Sequence, residues 1–253
     1  TAYEIPKRDW SSDVCSSDLI LSLSYDWKTL DDYIIKCPWD DILQKNSTFN
    51  DVLDIYTNKG VMSDDFFDII MKPLLLAKDL TLDVTLDELH DFNKKEIHII
   101  TVELNTFELV NLSYKTHPRL KVMDAIKMSC AFPILFSPKI TIESKDEKKN
   151  CNDDKQYEYS RRVCCYIDGG IICNYPVNIC IEDQQCDPNE ILGFRNIFEK
   201  YHEVINDTSS VVDFLKICVK QMIRKIDNEK SYTKIKNEVT CIGEKNDFIN
   251  WFD

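Results

Sequence analysis

The strongest suggestion of chemistry in this sequence is an aspartate followed by two glycines, Asp168-Gly169-Gly170. The residues before it, Cys164-Cys165-Tyr166-Ile167, are apolar and read as a strand, so the carboxylate arrives at a strand end. The chain has 253 residues and five glycines. Two of them side by side let the backbone turn sharply and mark a demanding backbone position. A carboxylate held there can take a proton from a nucleophile or from water. Asp-Gly is also a good turn dipeptide, so the motif by itself leaves a turn without chemistry open. Two neighbouring segments narrow the choice. Upstream lies Asp124-Ala125-Ile126-Lys127-Met128-Ser129-Cys130-Ala131-Phe132-Pro133, and downstream lies Asn174-Tyr175-Pro176.

The elements that must position this carboxylate follow from apolar spacing. Ile20 to Tyr25 reads as the end of an apolar helix. Trp27 to Ile35 reads as a second, with Leu30, Tyr33 and Ile34 on one face and Pro38 as its stop. Asp64-Asp65 opens a helix through Phe66, Phe67, Ile69, Ile70 and Met71. Thr85 and Glu88 fit a capping box, which predicts a short helix over Leu86 to Phe92. Ile97 to Val102 is rich in β-branched residues, as a buried parallel strand should be, and Phe107 to Tyr114 is a second strand. Lys121 to Cys130 is a helix, and Leu135 to Ile142 is strand-like. Arg162 to Ile167 is the strand that presents Asp168, and Glu190 to Phe194 is a short strand. The charged stretch from Glu143 to Arg162 reads as a solvated loop or hairpin tip. After Ser210, the residues Val211, Leu215, Cys218, Met222 and Ile226 repeat at helical spacing and predict a stripe that faces the core.

Together, the segments around Ser129 and Asp168 resemble the C-terminal half of the patatin-like phospholipases, which are serine acyl hydrolases. The resemblance runs through residues 20–253 in order, and its specific motifs occupy 124–138 and 163–177. It implies a three-layer α/β/α domain and a Ser-Asp dyad in place of a triad. The family serine sits in a Gly-x-Ser-x-Gly elbow, and a separate Gly-rich loop forms the oxyanion hole. Asp168 matches the dyad aspartate, the general base, and Gly169 and Gly170 match the residues after it. Asn174 and Pro176 fit the usual continuation, and Ser129, Ala131 and Pro133 fit the upstream segment. Lys127 stands where that segment usually carries arginine, and a lysine cannot reproduce a planar guanidinium fork. Ser129 and Ser137 lie on no elbow and read as structural, and His98 and His117 as strand and loop residues.

The nucleophile is missing from this pattern. The residues two before Gly60, Gly169, Gly170, Gly193 and Gly243 are Asn58, Ile167, Asp168, Ile191 and Cys241, and none is serine. Cys241-Ile242-Gly243 has the spacing of a cysteine elbow, but Val239 occupies a position that needs a small residue. The one Gly-Gly pair follows Asp168, so the oxyanion loop is absent too. At the other end, the run from Asp9 to Leu19 looks like a translated sequencing adapter. Residues 1–19 are therefore expected to be foreign to a partial domain over 20–253 that is truncated on its N-terminal side. The apolar ending Asn250-Trp251-Phe252-Asp253 suggests truncation there as well. The expectation is an inactive piece of a lipid acyl hydrolase, with a non-catalytic lipid-binding or interaction module of the same fold as the alternative.

Composition limits the partners. A net charge of −13 argues against nucleic acid, which needs a basic face, and against simple electrostatic docking on anionic lipid. The eleven cysteines show no Cys-x-x-Cys pair, and the four histidines stand apart, so reduced thiols are expected and no metal or other cofactor. The expected partner is a glycerolipid or phospholipid substrate met by transient contact with a lipid surface. The expected compartment is the cytoplasm, with peripheral contact at membranes.

Overall fold

Helix-forming and strand-forming stretches alternate along the computed structural model, which describes residues 15–39, 42, 60–62, 65–145, 160–182, 184–198, 205–206, 209 and 211–243. Helices α1 (Cys15–Ser22) and α2 (Trp27–Lys36) come first. The Asp26 carboxylate caps α2 by accepting from the Thr29 N–H, and the chain is extended at Cys37 ahead of Pro38. A short strand β1 (Gly60–Met62) leads to α3 (Asp65–Leu76). Helix α4 (Leu86–Asn93) begins at the predicted capping box, with the Thr85 and Glu88 side chains each bonded to the other's backbone. Residues 1–14, Asp64 and 250–253 lie outside the described residues. Helix α1 runs across the expected boundary at residue 19, and Leu19 is buried with Leu23 against the core.

Among the described residues, strands β3 (Glu108–Leu112), β2 (Ile99–Glu103), β6 (Ser160–Asp168) and β5 (Lys139–Lys145) form one sheet in that order, with every pairing antiparallel. This corrects the parallel expectation for Ile97 to Val102. Every residue of β2 is buried because both faces of the strand are covered. Two-sided burial produces the apolar run, and strand direction leaves no mark on it. The fold is thus a mixed helix and strand domain around an antiparallel four-stranded sheet.

One face of the sheet meets helix α5 (Val122–Ser129). There Val122, Met123, Ala125, Ile126 and Met128 share a core with Ile99, Leu112, Cys164 and Tyr166. Each fully buried aliphatic side chain contributes roughly 1.5–3 kcal/mol by leaving water. On the opposite face Val102, Ile167 and Ile171 form a smaller cluster, and Ile223 of helix α7 (Val211–Glu229) packs on it. Between the two helices lie β4 (Ile134–Phe136), which pairs parallel with β1, the short helix α6 (Val177–Glu182), and β7 (Leu192–Phe198). Strand β7 pairs parallel with β8 (Asn237–Gly243), and α7 is the crossover between them.

Three further expectations change. The stretch 135–142 is two strands, β4 and β5, which join different partners either side of Ser137-Pro138. Proline has no N–H to continue a ladder. The charged segment 143–162 is strand at both ends, with Lys145 opposite Ser160, and 146–159 lies outside the described residues. The apolar stripe on α7 faces the core only in part, with Cys218 and Ile226 half-buried. Val211 is 74% exposed, Met222 57% and Leu215 45%, while contact with the sheet comes from Ile223 on another side of the helix.

Candidate active site

Asp168 is the last residue of β6, an interior strand, and its register partner on β2 is Thr101. Hydrogen bonds from two directions fix the strand end. The Asp168 N–H donates to the Ala131 carbonyl at 3.1 Å. The buried Thr101 hydroxyl lies 2.7 Å from the Ile167 carbonyl and 3.1 Å from the Met128 carbonyl, so it bridges β6 and the end of α5. The segment singled out around Ser129 is therefore packed directly against the strand that ends in Asp168.

Beyond Asp168 the chain enters a 3-10 turn over Gly169–Ile171. The Gly170 N–H donates to Asp168 Oδ1 at 2.7 Å. Asp168 Oδ2 has no hydrogen-bond partner among the described residues. One oxygen is thus fixed by the turn. The carboxyl is half-buried, with protein crowded around it. Burial disfavours the charged form and outweighs the Gly170 hydrogen bond, which raises the pKa from 3.8 to about 6.

The two glycines serve a purpose other than left-handed backbone, since none of the chain's described glycines has a positive φ. A Cβ on Gly169 would lie 2.2 Å from the Ile100 carbonyl oxygen, and one on Gly170 would lie 3.0 Å from Asp168 Oδ1. Both positions are closed by close approach of backbone or carboxylate. Asn174 and Tyr175 follow as the turn returns to the core. Tyr175 is buried, and its hydroxyl donates to Glu238 of β8 at 3.1 Å.

Two residues that hold this region went unnoticed in the sequence. Thr101 is one, and Glu103 is the other. Glu103 is buried at the end of β2 and accepts from the N–H groups of Asn105, Thr106 and Cys165, from the Thr106 hydroxyl, and from Arg162 at 2.5 Å. Burial alone would raise its pKa, but this set of donors brings it down to about 2. A carboxylate that accepts this many bonds is saturated and lacks a free lone pair for catalysis. It locks the turn between β2 and β3 to β6. An acidic residue at a strand end before Asn-Thr was the available signal.

The other nominated residues lie elsewhere. Ser129 donates to the Ile100 carbonyl at 2.5 Å, and Ser137 sits between β4 and β5. Lys127 forms an ion pair with Asp68 of α3 at 2.8 Å, a contact that a point charge satisfies without a fork. His98 is buried just before β2, between Asn111 and Glu96, and burial lowers its pKa. His117 lies in the turn after β3, beside the Thr116 hydroxyl. Cys241 is inside β8, and the chain is still strand at Gly243. Among the described residues no three His, Cys, Asp or Glu side chains cluster as metal ligands, and no helix is long and apolar enough to cross a membrane.

A family model described as "Patatin-like phospholipase" matches residues 21–181, well over half of the chain and a range that includes α5, β6 and the turn after Asp168. No curated protein matches it.

Proposed function

We propose that this chain, which belongs to the patatin-like phospholipase family, supplies the general base of a serine acyl hydrolase acting on glycerolipid esters. Asp168 is that base. The observation that carries the reading is the Asp168 carboxyl itself, with one oxygen fixed by Gly170 and the other without a partner among the described residues, on the end of an interior strand. A base titrating near 6 is mostly ionised at neutral pH and still more basic than an ordinary carboxylate.

In the proposed reaction the dyad serine attacks the ester carbonyl while Asp168 takes its proton. The tetrahedral intermediate collapses to an acyl-enzyme as the alcohol leaves with a proton. Asp168 then draws a proton from water, which attacks the acyl group and releases the fatty acid. No serine of these 253 residues stands two positions before a glycine. The nucleophile and oxyanion donors therefore come from polypeptide outside this chain, and the chain by itself is inactive. Helices on both faces of the sheet support a three-layer α/β/α arrangement. The enzyme works in the cytoplasm and meets its substrate at a lipid surface.

The test is an ester-hydrolysis assay of the 253-residue chain on a short-chain nitrophenyl ester and on phospholipid micelles. The expected rate equals the buffer blank. Turnover that disappears in Asp168→Ala would show that this chain already contains the nucleophile.

A further inference from the structure

We infer that Ser129 is a positioning residue for Asp168: its hydroxyl holds the Ile100 carbonyl against the Gly169 backbone and so sets the direction in which the Asp168 carboxyl leaves β6. The register locates the contact at the end of the ladder that presents Asp168. Thr101 faces Asp168 in the antiparallel β2–β6 ladder, so the next pair would be Ile100 with Gly169. The ladder stops there, because Gly169 turns into the 3-10 segment. The buried Ile100 carbonyl lies at this ladder end, directly against Gly169. Ser129 Oγ donates to it at 2.5 Å.

Three groups fill one another's space at this point. The Ile100 oxygen lies 2.2 Å from where a Gly169 Cβ would be, and Ser129 lies between Met128, whose carbonyl faces the Thr101 hydroxyl, and the Ala131 carbonyl, which takes the Asp168 N–H. The backbone from 128 to 131 thus clasps the Asp168 peptide, with the serine hydroxyl at its centre. While the carbonyl is held, Gly169 cannot swing towards β2, and the Gly170 N–H stays 2.7 Å from Asp168 Oδ1. Loss of the hydroxyl frees the carbonyl, loosens the turn and admits water to the carboxyl.

The importance of this positioning rests on the reading of Asp168 as a base, but its test needs no substrate. The chain is labelled with aspartate carrying 13C at Cγ, and the Asp168 signal is identified by its absence in Asp168→Asn. Its titration midpoint is compared in wild type, Ser129→Ala, Ser129→Cys and Ser129→Thr, with circular dichroism as the check on folding. Burial and the Gly170 N–H are the two influences on this carboxyl, and both depend on the turn. We expect the Ser129→Ala midpoint to fall by about 0.5–1 pH unit towards the ordinary carboxylate value as water enters. Ser129→Cys, a weaker donor of similar size, shifts it less in the same direction, and Ser129→Thr leaves it near wild type. An unchanged Asp168 midpoint in a folded Ser129→Ala or Ser129→Cys chain overturns the proposal, whatever the loss of stability. Ester hydrolysis that proves independent of Asp168 would overturn the functional reading and leave this result intact.

Discussion

Replacing Asp168 by asparagine should stabilise the fold at neutral pH and do almost nothing in acid. Asparagine keeps the acceptor that receives the Gly170 N–H and removes the charge that burial penalises. The folded carboxyl titrates near 6 against an ordinary value of 3.8. Its folded-state pKa is raised, so its contribution to stability is fully present below 3.8 and is lost as pH rises through 6. Each tenfold change in proton affinity corresponds to about 1.4 kcal/mol, so the wild-type chain gives up about 3 kcal/mol by pH 7.5. The same linkage leaves about 1.6 kcal/mol at pH 5 and about 0.5 kcal/mol at pH 4. These are upper values, because the part of the carboxyl that reaches water is screened there. Urea unfolding of wild type and Asp168→Asn at pH 7.5, 5 and 4 reads the difference directly. A gain that shrinks as pH falls is the expected pattern. Asp168→Asn being equally or more destabilising at pH 7.5 than at pH 4 would refute the reasoning, since the carboxylate would then be an anion the fold needs.

Glu103 should behave in the opposite way. Glu103→Gln removes the charge and turns one of the two oxygens, which between them accept three backbone N–H groups, the Thr106 hydroxyl and Arg162, into a donor, and should cost about 3 kcal/mol in urea unfolding at pH 7. Because its folded pKa is depressed to about 2, that stabilisation is present above 4.5 and disappears as pH falls towards 2, so the two chains should converge in acid. Gly169→Ala pushes a methyl group into the Ile100 carbonyl, a backbone contact that cannot rotate away, and should cost about 2–3 kcal/mol in thermal unfolding.

Much of the site was legible because its determinants are local. Thr85 and Glu88 announce a helix start by chemistry contained in four residues, and that helix begins where they place it. The apolar run before Asp168 needed no partner to be read as a strand, and Pro133 and Gly169 mark the segments that pack at its end. What stayed hidden depends on long-range pairing. Ile99 to Glu103 has the same composition whether its neighbours run parallel or antiparallel, because burial on both faces sets the pattern. Pro138 divides one apolar stretch between two strand pairings, a choice made by β1 and β6 rather than by the stretch itself. The stripe on α7 has helical spacing, but Val211, Leu215 and Met222 face outward, and among the described residues of that helix Ile223 joins the cluster over β2 and β6. Thr101 is an unremarkable polar residue, and Ser129 reads as structural, until the packing of α5 on the end of the β2–β6 ladder shows which carbonyls they hold.

The role of Asp168 as the base of an acyl hydrolase is tested most directly by hydrolysis. The coding region upstream of Ile20 is re-sequenced from the original DNA, and the polypeptide it encodes is assayed on phospholipid micelles with and without Asp168→Asn. The expected result is an in-frame Gly-x-Ser-x-Gly segment, turnover that falls as pH drops through about 6, and loss of that turnover by at least about a hundredfold in Asp168→Asn. A polypeptide without such a serine, or one whose turnover survives Asp168→Asn, would contradict it.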